Sequence, residues 1–293
     1  MAGPIRYVSH DDDSGRWDGF PYREGDIVIS TRSKSGTTWM QMICALLVFR
    51  SPVLPAPLSE LSPWLDHTIE PVADVVARLE RQRHRRFVKT HTPLDGIPLD
   101  DRATYIVVAR HPLDMAVSLY HHVDNIDRAR MAELTGGPVT VSEPRPSLRD
   151  WLLAWTQKET TAIEQPDSLV GVLHHVSDAR HRAAVSGNVL LVHYADLLDD
   201  LEGSMRALAN RLALPVPEDV WPALVEAATF TRMRDRSKEL TPNPLGVLKD
   251  DGKFFRVGRS GQGRAVLEPH ELAAYERRVA SLADPELIRW LHR

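Results

Sequence analysis

Four short runs of apolar, largely β-branched residues recur along the chain: DIVIS at 26–30, FVKT at 87–90, TYIVVA at 104–109 and VLLVHY at 189–194. None alternates cleanly between apolar and polar residues, which is the pattern of strands covered on both faces in a parallel sheet. Between and after them, apolar positions recur at helical spacing over 37–49, 72–82, 114–123, 148–158, 176–184 and 201–211. Strands alternating with helices predict an α/β fold of three layers, a central and mostly parallel sheet flanked by helices, with its ligand outside the carboxyl ends of the strands. The pattern shows no internal repeat, and the chain reads as a single domain, 1–293, with residues 1–19 as an N-terminal extension.

Two stretches break the pattern. Residues 132–146 carry Gly136-Gly137 and three prolines, which predicts a mobile loop over the site. Residues 241–264 are rich in Gly, Pro and Asp and are also basic, and a loop of that length inside a compact domain is usually functional.

Composition narrows the function classes. A hydrophobic content of 43% and a charged content of 26% are those of a soluble globular protein. A net charge of −4 and a pI near 6.4 argue against a general nucleic-acid binder or a protein of anionic membrane surfaces. The single cysteine, Cys44, cannot form an internal disulfide, so a reducing cytoplasm is the expected location. The longest apolar run, 43–49, is far too short to span a bilayer, and the acidic start HDDDSGRWDGF does not resemble a signal peptide.

The chemistry gathers at the strand ends. After the first strand comes Lys34-Ser35-Gly36-Thr37-Thr38-Trp39, after the second Lys89-Thr90-His91-Thr92-Pro93, and after the third Arg110, with Ser118 two turns into the next helix. A helix N-terminus offers free N–H groups and a positive dipole, so the 34–38 turn suits a phosphate, although a plain capped helix would read the same. Only six of the 36 basic residues are lysine, so lysine at two successive strand ends is unusual for this chain. Lysine, lysine and arginine converging on one crevice point to an anionic ligand with more than one charged group. The order is not that of a Walker loop, which places several glycines before Gly-Lys-Ser/Thr. No pattern of metal ligands stands out: His121-His122 and His174-His175 are adjacent pairs, and neighbours on a helix point in different directions.

The segments SKSGTTW, KTHTP and ARHPLDMAVSLYHH resemble the motifs of cytosolic-type sulfotransferases, which use 3′-phosphoadenosine 5′-phosphosulfate (PAPS). The likeness spans about 20–275, and LSPWLD with HRRFVKTHTPLDG is similar to actinobacterial, mycobacterial-type glycolipid sulfotransferases. The resemblance implies a P-loop-like fold and a turn that cradles the 5′-phosphosulfate. Lys34 would contact the bridging oxygen and the 5′-phosphate, Ser35, Gly36, Thr37 and Thr38 would surround that phosphate, and Trp39 would lie against the adenine. Arg110 and Ser118 correspond to the 3′-phosphate contacts, Tyr194 to a tyrosine that touches the nucleotide, and Thr229, Phe230 and Met233 to the segment holding the adenine. Trp39 and Tyr194 would equally suit plain core packing.

By the same resemblance 241–264 would cover the nucleotide, with Arg256, Gly258 and Arg259 near the 3′-phosphate. There the family's lysine is replaced by Val257, which cannot hydrogen-bond a phosphate, and Arg259 is one residue further on. His91 is the expected base: a neutral imidazole suits removal of the acceptor's hydroxyl proton near pH 7, with Lys89 neutralising the transferring sulfonyl oxygens. No metal is implied, the lysines taking the role magnesium has in phosphoryl transfer. The product would be adenosine 3′,5′-bisphosphate (PAP). The acceptor, a glycolipid or other small molecule bearing a hydroxyl, should meet segments around 61–67, 119–146 and 148–155. A P-loop kinase and a non-catalytic nucleotide or sulfolipid binder remain as competing readings. The oligomeric state stays open, because GQGRAVLEPHE departs from the pattern that pairs many animal members.

Overall fold

The structure is a computed structural model and describes residues 3–137 and 145–293. Among the described residues, β1 (Ile27–Thr31), β2 (Phe87–Thr90), β3 (Thr104–Ala109) and β4 (Val189–His193) form one parallel sheet in the order β2-β1-β3-β4. The register sets Ile29 beside both Lys89 and Ile106, and Val108 beside Val192. The chain leaves β1 for one side, then returns past it to β3 on the other. The loops following β1 and β3 therefore diverge, and a crevice opens at their carboxyl ends.

The continuous apolar runs are explained by what covers each face. Ile27, Ile29, Ile106 and Val108 pack into one core with α1 (Thr37–Phe49), while Val28, Val88, Tyr105 and Val107 pack into another with Leu79 of α3 (Val72–Arg81). A single turn, α2 (Leu58–Leu61), lies between α1 and α3. Next come α4 (Pro112–Asn125), α5 (Arg128–Thr135), α6 (Leu148–Gln157) and α7 (Leu169–Val185). After β4 follow α8 (Tyr194–Asp199), α9 (Leu201–Arg211), α10 (Trp221–Ala228), α11 (Phe230–Asp235) and α12 (Ser237–Leu240). The chain closes with α13 (Pro269–Ala280) and α14 (Pro285–Leu291), whose Tyr275, Val279, Leu287 and Leu291 complete a third core with α4 and α7.

The departures from the sequence pattern are local. Helix α7 starts at Leu169 rather than 176, where the Ser168 hydroxyl caps it by accepting the Gly171 N–H at 3.1 Å. The fourth strand ends at His193, and Tyr194 opens α8. In the expected loop at 132–146, residues up to Thr135 belong to α5, and 138–144 lie outside the described residues. The N-terminal segment is built into the domain: Trp17 is fully buried beside Phe20 and Tyr22.

Candidate active site

The turn after β1 is made by two residues in the left-handed region, Lys34 at φ 63° and Gly36 at φ 110°. Gly36 is required twice over, because a Cβ there would also sit 3.1 Å from the Tyr194 ring. The turn aims the first turn of α1 into the crevice, where its backbone amides have no intrahelical acceptor. Thr37 is held by a hydroxyl–hydroxyl bond to Thr31, the last residue of β1. A helix start with a small-residue turn and a lysine is thus presented to an anion.

Cations from three strand ends meet there. The Lys34 ammonium lies 4.0 Å from the centre of the Phe254 ring, and the Lys89 ammonium 4.2 Å from the centre of Trp64. Arg110 is aimed by its own donors: one goes to the Lys34 carbonyl and another to the Arg259 carbonyl, both at 3.2 Å. Its guanidinium also stands over Tyr194, 4.4 Å from the ring centre. Among the described residues none of these three cations has an ion-pair partner. Burial, then repulsion from Arg110, Lys89 and Arg256, pushes the Lys34 ammonium down to about 7. Burial likewise lowers Lys89 to about 8, opposed by Asp12 and Asp66. A bound anion would offset the burial of both lysines and the repulsion at Lys34.

His91 is held by its backbone and one ring nitrogen. Its Nδ1 is 2.7 Å from the Thr31 carbonyl, which can only accept, so Nδ1 carries the proton and Nε2 keeps its lone pair. Burial first, then Lys89 and Arg32, lowers the imidazole's pKa and keeps it neutral. The buried Asp66 fixes the loop: it accepts the His91 N–H at 3.2 Å, the Thr92 hydroxyl at 3.3 Å, and the Thr90 hydroxyl and Trp17 indole N–H. Arg32 donates to the His91 carbonyl and pairs with Asp167 at 2.8 Å, while Asp167 accepts the Ser33 N–H at 3.2 Å. The turn after β1, the His91 loop and the approach to α7 are therefore cross-linked.

The late basic loop is pinned over the crevice by one buried carboxylate. Asp114, in the first turn of α4, accepts the Gly261 N–H at 2.7 Å and the Gly263 N–H at 2.8 Å. Gly258, at φ 65°, lies on the Phe230 ring, where an added Cβ would come within 2.3 Å. Around these groups lies one cleft of about 1760 Å³.

Residues 24–282 match the sulfotransferase domain family. The chain belongs to that family. Over its whole length it is 40% identical to the glycolipid sulfotransferases of Mycobacterium bovis and Mycobacterium tuberculosis, covering 95% of each. It is 26% identical to human sulfotransferase 2B1 over 87% of this chain and 65% of that protein. The fold matches retinol dehydratase in complex with androsterone and the inactive cofactor PAP, with a TM-score of 0.70, 20% identity, and coverage of 93% of this chain and 86% of that one. It matches a mouse sulfotransferase complexed with PAP equally well, with a TM-score of 0.70 at 19% identity, covering 94% and 90% of the two chains.

In this sulfotransferase the cleft is lined by Lys34, Gly36, Thr37, Thr38, Trp39, Lys89, His91, Arg110, Ser118, Tyr194, Phe230, Met233, Arg256 and Gly258. Trp39 donates its indole N–H to the Ala228 carbonyl at 2.8 Å and meets Tyr194 edge to face at 5.1 Å. Three of the expected residues are not among those lining the cleft. Ser35 is buried within the turn, Thr229 caps α11 by accepting the Arg232 N–H at 3.4 Å, and the Arg259 side chain is exposed outside the cleft lining. Val257 lines the cleft itself. Sequence reading missed Asp66, Arg32, Asp167, Asp114 and Phe254. Asp66 closes the LSPWLD stretch, but its partners are far apart in the chain. Among the described residues no group of three His, Cys, Asp or Glu side chains could hold a metal ion, and no helix is long and apolar enough to cross a membrane.

Proposed function

We propose that this sulfotransferase moves the sulfonate of PAPS to a hydroxyl of a glycolipid-like acceptor, with His91 as the base. The observation that carries the reading is the convergence of Lys34, Lys89 and Arg110 on the cleft that also holds the Nε2 face of a neutral His91. The acceptor oxygen attacks sulfur, and its proton passes to His91 Nε2. The bond from sulfur to the bridging phosphate oxygen breaks, and PAP leaves with that electron pair. Lys34 beside the α1 N-terminus stabilises the charge growing on the leaving phosphate, and Lys89 that on the sulfonyl oxygens. Arg110 and Ser118 hold the 3′-phosphate, and Arg256 adds charge from the late loop.

The acceptor class follows from size and lining together with the mycobacterial relatives. The cleft of about 1760 Å³ exceeds the roughly 300–1,000 Å³ of ordinary small-ligand sites. It therefore accommodates a bulky acceptor beside the nucleotide. Beyond His91 it is lined by Leu119, Val123, Ile126, Met131, Leu134 and Trp151, which suits an apolar tail. Turnover with PAPS should therefore be at least about tenfold more efficient, as kcat/KM, for an alkyl glycoside than for a phenol or sterol. Mass spectrometry of the products checks it. Sulfation of the phenol or sterol alone would overturn the glycolipid reading, and PAPS binding without any transfer would favour a non-catalytic homologue.

The lysine pKa values give a second expectation. In the free enzyme at pH 8, Lys34 at about 7 is largely neutral and Lys89 at about 8 is half protonated. Phosphate anions favour the ammonium form and raise both values, so binding PAP at pH 8 takes up protons. Affinity should fall as pH rises above 7, and the uptake should vanish below about pH 6. Calorimetry in two buffers of different ionisation heat measures this directly. Proton release, or no exchange at pH 8, would contradict it.

A further inference from the structure

The acidic stretch near the N-terminus forms a wall of the cleft. Asp12 pairs antiparallel with His67, the Thr68 N–H donates to the Asp11 carbonyl at 2.8 Å, and the Asp13 N–H donates to the Asp66 carbonyl at 2.9 Å. Trp64 in turn lies alongside Lys89, whose N–H donates to the Pro63 carbonyl at 3.2 Å. This two-step ribbon places Asp11, Asp12, Trp64 and His67 in the cleft lining at the end where Lys89 and His91 stand.

Asp12, His67 and Trp64, whose indole Nε1 is also buried, have polar atoms without a hydrogen-bond partner among the described residues. The Asp12 carboxyl has no hydrogen-bond or ion-pair partner among the described residues, and its Oδ1 is shielded from bulk solvent. Buried polar atoms are normally paired, so an unpaired carboxyl oxygen in a substrate cleft points to a partner on the substrate. The His67 imidazole also makes no hydrogen bond among the described residues. It is fixed by stacking on Trp64, with ring centres 4.5 Å apart and planes at 19°. Trp64 in turn meets the edge of His91 at 4.7 Å, so His67, Trp64 and His91 form one aromatic row leading to the base.

We propose that Asp12 and His67 bind the sugar hydroxyls flanking the one that reacts, and so determine which hydroxyl is presented to His91. This rests on the glycolipid reading and specifies the part of the acceptor that is recognised. A sugar ring offers neighbouring hydroxyls that each donate and accept, matching a carboxyl and an imidazole on adjacent strands of the ribbon. A phenol or sterol with one hydroxyl would leave both groups unpaired. Charge supports the match. Burial, then Asp11 and Asp66, raises Asp12 to about 8, and burial lowers His67 to about 4. Both are uncharged at neutral pH, as suits neutral hydroxyls rather than an ionic headgroup.

The test compares an alkyl glucoside with the alkanol of the same chain length as acceptors, for wild type, Asp12→Ala and His67→Phe. His67→Phe keeps the stack on Trp64 and removes the ring nitrogens. A thermal melt confirms that each variant is folded. Each variant should lower the glucoside-to-alkanol ratio of kcat/KM by about tenfold, mainly through a higher KM for the glucoside. A ratio unchanged in both variants overturns the proposal. An equal loss with both acceptors in Asp12→Ala also overturns it, assigning Asp12 to the structure around Lys89 rather than to the sugar. A wild-type enzyme that sulfates the alkanol but not the glucoside would sink the glycolipid reading itself, and would be seen before any variant is made.

Discussion

Replacing His91 by alanine should lower turnover by about 10²–10⁴-fold, the usual cost of losing a general base, while PAP affinity changes little. The expectation rests on the ring's geometry. Nδ1 is committed to the Thr31 carbonyl, so only Nε2 is left to take the acceptor's proton. Alanine removes that lone pair but leaves the loop in place, because Asp66 holds the His91 backbone N–H and the hydroxyls on either side of it. The pH profile carries a second check. A free histidine is protonated below about pH 6.5, but burial and the cations Lys89 and Arg32 lower His91. The neutral, competent form therefore persists as pH falls through 6.5, and the acid limb of kcat/KM should lie below that value. Single-turnover kinetics with calorimetry on the same variant separate chemistry from binding. A variant retaining more than about a tenth of wild-type turnover would remove His91 from the base's role.

Lys34→Ala should cost about 10²–10³-fold in turnover, the range for removing one preorganised donor to a developing anion, and should weaken PAP as well. Both losses are expected on the proposed role of Lys34 beside the 5′-phosphate, where charge would exist in the ground state and grow in the transition state. Lys34→Arg should restore little. The ammonium is a point charge lying 4.0 Å from the centre of the Phe254 ring, with the Arg110 guanidinium bonded to its own backbone carbonyl. A planar guanidinium needs a different approach and adds bulk where that space is already used. Full activity in the arginine variant would show that charge alone suffices at this position.

Much of this site was legible because its parts lie at strand ends. The continuous β-branched runs located all four described strands within a residue at either end, and the residue following each run could then be read as a cleft residue. His91 and Arg110 directly follow their runs, Lys89 lies inside the second run and Lys34 comes four residues after the first, and all four line the cleft. The carboxylates that hold them were not legible, since Asp66 acts on residues 24–26 positions away, Asp167 on Arg32 at 135 positions, and Asp114 on the late loop at 147–149. Helical spacing around an aspartate says nothing about a partner so distant in the chain. The Asp12 wall was hidden for the same reason, because an acidic run reads as a solvated extension until pairing with 66–68 turns it inward. Helix α13 is a different case. Glu268-Pro269-His270-Glu271 carries a proline at the first helical position and a capping box, both printed in the sequence. Thr229 caps α11 and the Arg259 side chain turns outward, local uses of the backbone that a matching segment does not reveal.

The most direct test of the cleft as a PAPS site is calorimetric comparison of PAP with adenosine 5′-phosphate, with magnesium and with chelator. Arg110 is held in place by two carbonyls and has a buried Nε without a partner, and Ser118 and Arg256 line the same cleft. Removing the 3′-phosphate would leave such donors unpaired, at roughly 1.5–3 kcal/mol for each charge-assisted bond. Two such losses make PAP tighter by about a hundredfold or more, irrespective of magnesium. Equal affinities for the two nucleotides, or binding that requires magnesium, would contradict the assignment.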